Sequence, residues 1–161
     1  MSNHFPQKIT KMHQNEVDTS IKLVRRLLAS QFPEWAKLPI VPVASAGTDN
    51  AIYRLGDKMA VRLPRIDWAI GQVEKEHKWL PKLAPFLPLE VPVPLAKGEP
   101  GEDYPYQWSV QKWIEGQNAA DAHITDLSRV ALDLADFLKA LRQIDTTGGP
   151  PAATENMRGM P

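Results

Sequence analysis

The residues with most chemical promise fall in three short stretches. Arg62 sits in Lys58-Met59-Ala60-Val61-Arg62-Leu63, where apolar and basic residues alternate as on a strand. With Val61 and Leu63 facing a core, Arg62 points to the other face. Glu76 follows on a stretch with helical spacing, near Val73 and Leu80. A basic strand residue held by a helix carboxylate can clamp two phosphate oxygens. Upstream, the turn Ala46-Gly47-Thr48-Asp49-Asn50 has one glycine, no bulky side chain and a hydroxyl donor, so its N–H groups could cover an anion. Downstream, Gln111-Lys112-Trp113-Ile114-Glu115-Gly116 ends a strand and leads into a polar linker, exposing backbone groups to the edge of a heterocycle. Each stretch also has a plain reading: a hairpin turn, solvated charges at Arg54, Arg62, Arg65, Glu74, Glu76 and Lys78, and an ordinary edge strand.

Other candidates carry less. His123-Ile124-Thr125-Asp126 has no catalytic spacing after it, and Thr125 or Asp126 reads as a helix cap. Asp133 and Asp136 share a helix with Leu134 and read as solvent-facing. Trp108 and Trp113 lack the interleaved basic residues of a single-strand nucleic-acid binder. No Ser, His and Asp constellation supplies a nucleophile, and the four histidines form no close metal pair. No catalytic or metal-ligating residue is assigned.

The elements that must position these residues are legible from periodicity and punctuation. Val17, Ile21, Val24, Leu27 and Leu28 predict a helix from about Glu16 to before Phe32-Pro33. Ile40–Ala46, Ala51–Leu55 and Lys58–Leu63 predict an antiparallel meander, with Pro42 at a strand start or on an edge. Ile70, Val73, His77, Leu80 and Leu83 predict a helix over 68–83 that ends or bends near Leu80 because Pro81 follows. A short strand over Val91–Ala96 and another over Tyr106–Ile114 come next. Leu127, Val130, Ala131, Leu134, Leu138 and Leu141 then mark a helix to about Ile144. Helix, three strands, helix, two strands and helix make an α+β unit with one antiparallel sheet.

Composition narrows the function classes. In 161 residues, 19 Lys+Arg balance 19 Asp+Glu, so no net charge draws the chain to nucleic acid or an anionic membrane. There is no cysteine, which excludes disulfides and thiol chemistry and fits a reducing compartment. No apolar run is long enough to span a bilayer and the N-terminus has no secretory pattern, so the expected location is cytoplasmic. Fifteen prolines, about 9% against a usual ~5%, break the chain into short elements.

Taken in order, these segments resemble the amino-terminal lobe of the aminoglycoside phosphotransferase family, within the protein-kinase-like superfamily. The resemblance rests on the run from Ser45 to Arg65, with Gly47-Thr48-Asp49-Asn50 and Val61-Arg62-Leu63-Pro64-Arg65 in register. It continues through Val73-Glu74-Lys75-Glu76-His77-Lys78-Trp79-Leu80-Pro81, Val91-Pro92-Val93-Pro94, Trp113-Ile114-Glu115-Gly116 and Leu132–Asp145. It implies a kinase-like lobe with a five-stranded antiparallel sheet and an ATP site. Gly47, Thr48, Asp49 and Asn50 would cover the phosphates, and Arg62 would stand where a lysine usually binds the α- and β-phosphates, with Glu76 as its partner. The backbone of Lys112 and Ile114 would meet the adenine edge, with Gln111 at the gatekeeper position. The implied divisions are a flexible arm over 1–13, a nucleotide-binding lobe over 14–114, a hinge linker and first carboxy-lobe helix over 115–145, and an irregular, truncated tail over 146–161.

The family's His-Gly-Asp-x-x-x-x-Asn segment and later Asp, which supply the base and the Mg²⁺ ligands, do not occur in this sequence. The expectation is therefore the nucleotide-binding portion of an ATP-dependent phosphotransferase acting on a small-molecule hydroxyl, inactive as this chain alone. Mg²⁺ would be held by residues of the complete enzyme. The apolar face over 127–141 would lack its partners and favour a homodimer. The alternative is a non-catalytic nucleotide-binding or protein-interaction module.

Overall fold

The computed structural model describes residues 16–44, 49–69 and 71–149. The expected arm over 1–13, most of the expected tail, and Gly47 and Thr48 of the predicted loop lie outside the described residues. The described residues form an α+β unit with a five-stranded, wholly antiparallel sheet and three α-helices.

Helix α1 (Ile21–Gln31) begins where the Ser20 side chain accepts from the N–H of Leu23 at 3.2 Å. The predicted start near Glu16 is corrected by five residues. The chain before Ser20 has other partners: Val17 N–H donates to the Arg65 carbonyl at 2.9 Å, and the Glu16 carboxylate pairs with the Arg65 guanidinium. Both side chains are buried, so Arg65 is not a solvated strand charge. Leu23, Val24, Leu27 and Leu28 form the buried face of α1, and Phe32, before Pro33, ends it by donating to the Leu28 carbonyl.

Strands β1 (Ile40–Pro42), β2 (Asn50–Leu55) and β3 (Met59–Pro64) form the meander, followed by β4 (Pro94–Gly98) and β5 (Trp108–Lys112), in the order β1-β2-β3-β5-β4. β1 is shorter than the predicted 40–46 and sits at an edge, where the missing N–H of Pro42 costs no ladder bond. Gly56, at φ +57°, turns the chain from β2 into β3. The fourth strand begins at Pro94 rather than Val91: Pro92 cannot donate to a ladder, and a proline is tolerated as the first residue of a strand. Alternate residues Ala51, Tyr53, Leu55, Val61, Leu63, Trp108 and Val110 face α1 and make the core with it. Gly98 permits that packing: a Cβ there would fall 2.0 Å from the Trp108 ring.

Helix α2 (Gln72–Leu83) starts later than predicted, after a 3-10 turn at Asp67–Ala69 and a left-handed Gly71. It also runs past Leu80. Pro81 falls in the last turn, where only one intrahelical N–H is lost, and Ala84 N–H still donates to the Leu80 carbonyl. Of the apolar stripe predicted for α2 only Val73 is buried, Ile70 lying outside the described residues. Helix α3 (Leu127–Gln143) is capped by Asp126, whose Oδ1 accepts from Arg129 N–H at 2.9 Å. Its stripe is exposed: Leu127, Val130, Leu134, Leu138 and Leu141 are all open to solvent. No helix among the described residues is long and apolar enough to cross a membrane.

Candidate functional site

One face of the sheet belongs to the core with α1; the other carries the polar chemistry. In the ladders Ile52 opposes Arg62 and Arg62 opposes Ser109, while Arg54 opposes Ala60 and Ala60 opposes Gln111. Directly opposed residues project to the same side of a pleated sheet, so these two rows share one face, away from α1. The rows put a guanidinium at the centre of the first and a small methyl at the centre of the second.

Helix α2 brings its carboxylate to this face. Arg62 Nη1 donates to Glu76 Oε2, and Arg62 Nη2 donates to Gln72 Oε1 at 3.1 Å. Gln111 Nε2 donates to the same Glu76 oxygen at 3.1 Å. The side chains of Arg62 and Glu76 retain 16% and 25% of their exposure, so protein shields the pair from much of the solvent and strengthens it. Arg62, Glu76 and Gln111, selected from sequence on three separate segments, are thus joined in one network. The solvated reading of Arg62 and Glu76 is replaced by a half-buried ion pair.

At the far end of β2 and β3, the Asp49 carbonyl accepts from Arg65 N–H at 2.8 Å and Asn50 opposes Pro64. Asn50 Oδ1 is buried with no hydrogen-bond partner among the described residues, a polar group whose desolvation is uncompensated. At the other end, Lys112 turns its exposed side chain to Glu90 at 2.8 Å, and its backbone N–H donates to Val93 at 2.8 Å. Trp113 N–H turns the opposite way, to the Lys58 carbonyl at 2.8 Å. The backbone of Ile114 comes next, beyond the end of β5.

Three participants escaped the sequence reading. Gln72 lies one helical turn before Glu76, a spacing that places both on the same face and could have flagged it. Ser109 shares the strand alternation of Gln111 and opposes Arg62. Arg54, read from sequence as a solvated charge, instead lies over the Trp113 ring and bonds to Glu115, a long-range contact with no local signal. Among the described residues no group of three or more His, Asp or Glu is placed to hold a metal ion.

Residues 40–159, about three-quarters of the chain, match the profile of the phosphotransferase enzyme family, APH. The chain belongs to this family. The phosphotransferase resemblance extends to solved structures of the same fold. The GDP complex of wild-type aminoglycoside 2'-phosphotransferase-IIIa matches with a TM-score of 0.72 and 19% identity, over 84% of this chain and 48% of that one. The GDP and kanamycin complex of APH(2")-IIia matches with a TM-score of 0.68 and 19% identity, over 81% of this chain and 46% of that one. The streptomycin-ATP-APH(2")-IIa ternary complex matches with a TM-score of 0.52 and 20% identity, over 81% and 43%. This phosphotransferase-family chain therefore spans less than half the length of these solved relatives. No curated protein matches it. The family and fold resemblance read from sequence, a kinase-like amino lobe with a five-stranded antiparallel sheet, is correct.

Proposed function

We propose that residues 14–114 are the nucleotide-binding lobe of an ATP-dependent phosphotransferase, and that 115–145 are its hinge and the first helix of a second lobe. The observation that carries this reading is the half-buried Arg62–Glu76 pair on the sheet face opposite the core. Glu76 and Gln72 hold two corners of the guanidinium and leave its other donors for phosphate oxygens, so the cation is oriented before a ligand arrives. Gly47, Thr48, Asp49 and Asn50 cover those phosphates, with backbone N–H groups and the Thr48 hydroxyl as the donors. The Lys112 and Ile114 backbone takes the base edge, with Gln111 behind it. Family membership and relatives solved with GDP or ATP support a nucleotide as the ligand.

In the complete enzyme the γ-phosphate passes to a hydroxyl of a small molecule such as an aminoglycoside. Mg²⁺ there is held by residues this sequence does not contain, so the 161-residue chain binds nucleotide without turning it over. Its compartment is the cytoplasm, in keeping with a chain free of cysteine. The exposed stripe of α3 supports a homodimer in which this face packs on its copy.

Thermal unfolding with increasing ATP or GTP tests the reading. A ligand that binds the folded chain raises its Tm with concentration. The account expects that rise with no phosphate transferred to kanamycin; a Tm indifferent to both nucleotides overturns it.

A further inference from the structure

The hinge has a clamp of its own. Arg54, on β2 in the row of Ala60 and Gln111, sends its side chain along the site face toward the chain leaving β5. Its guanidinium carbon lies 5.0 Å from the centroid of the Trp113 ring, and its Nη2 donates to the Asp57 carbonyl at 3.1 Å and to the Glu115 carboxylate. One side chain therefore joins the β2–β3 turn to residues on both sides of Ile114. Beyond Lys112, among the described residues, the backbone tie to the sheet is Trp113 N–H to the Lys58 carbonyl. A segment leaving a sheet with so few backbone bonds needs side chains to fix its course. A planar guanidinium can stack on an indole and donate sideways at once, which an ammonium cannot do in the same geometry.

We propose that Arg54 is a positioning residue for nucleotide-base recognition: it holds residues 113–115 so that the Ile114 backbone meets the base edge, while Arg62 serves the phosphates. This rests on the nucleotide reading above. It separates two jobs that the shared sheet face would otherwise merge. Losing Arg54 should impair recognition of the base and spare recognition of a bare phosphate chain.

Calorimetric titration of the full 161-residue chain with ATP and with inorganic tripolyphosphate reads the difference. Arg54→Ala is expected to weaken ATP binding about three- to thirty-fold, the range of one cation–π contact plus one exposed ion pair. Tripolyphosphate binding should stay within about twofold, since a partly exposed charge at this distance is screened. Arg54→Lys should fall between Arg54→Ala and wild type, and Arg62→Ala should weaken both ligands. Amide hydrogen exchange at 113–116 should quicken in Arg54→Ala, with β3 unchanged as the check on folding. ATP binding by Arg54→Ala equal to wild type, an equal loss of both ligands, or unaltered exchange at 113–116 would each overturn the inference while leaving the nucleotide reading intact. A wild-type chain that binds neither ligand refutes that reading and this inference with it.

Discussion

Gln111 Nε2 donates to Glu76 Oε2 at 3.1 Å, the same oxygen that receives Arg62 Nη1. One carboxylate oxygen thereby fixes a strand cation and the side chain at the end of the neighbouring strand. The contributions differ in kind. The Arg62 bond joins two charges in a half-buried site, whereas the Gln111 bond is made by a neutral amide. Glu76→Gln strands the guanidinium and should cost about 1–3 kcal/mol of stability. Gln111→Met keeps the volume and should cost less than about 1.5 kcal/mol. Urea denaturation of both variants checks the order, and a larger loss for Gln111→Met would contradict it.

Gly98 is a packing requirement rather than a flexible joint. Its missing Cβ makes room for the fully buried Trp108, whose indole Nε1 donates to the Glu99 carbonyl at 3.1 Å. Gly98→Ala should displace that ring and destabilise the chain by about 1–3 kcal/mol, the usual cost of overpacking a filled core. Denaturant midpoints measure the loss, and near-ultraviolet circular dichroism should show an altered tryptophan environment.

His77 titrates below its ordinary value of 6.5, chiefly because burial disfavours the charged ring and secondarily because Lys97 repels it. Glu76 and a hydrogen bond from the ring to the Ala96 carbonyl act in the opposite direction but do not prevail. With the folded value depressed, the unfolded chain takes up the proton first as pH falls. The stability from neutral His77 is complete above pH 6.5 and is lost as pH drops through the lowered folded value. Denaturation midpoints between about pH 7.5 and about pH 5 should decline less steeply for His77→Gln than for wild type.

How much was legible before the structure depended on whether the signal was local. Alternation around Val61 and helical spacing around Glu76 were enough to place Arg62 and its partner on facing elements, because each pattern is set by a few adjacent residues. Helix starts were less legible. Val17 has the right spacing for α1, yet its N–H is captured by Arg65, forty-odd positions away, and Ser20 caps the helix instead. The buried Glu16–Arg65 pair and the Arg54–Trp113–Glu115 contacts join segments distant in sequence, so no window of residues could announce them. Pro81 does not end the helix, one of the two outcomes its position allows: a proline in a last turn removes one bond and leaves the rest of the turn in place.

The stripe of α3 leaves Leu134 and Leu138 about half exposed, at 52% and 49%. Two leucines so placed on one helical face favour association over solvation. If the proposed homodimer forms, Leu134→Glu with Leu138→Glu should give a monomer in sedimentation velocity and abolish the dependence of Tm on protein concentration. A wild-type chain that sediments as a monomer at every concentration would contradict the homodimer.

The central claim is that Arg62, held by Glu76, is the cation that receives nucleotide phosphates, and titration of ATP into wild type and Arg62→Ala by calorimetry tests it most directly. Saturable binding to wild type is expected, with a loss of at least about tenfold in Arg62→Ala, the scale of one charge-assisted contact to phosphate. Undiminished affinity in Arg62→Ala, with its fold intact by circular dichroism, would contradict it.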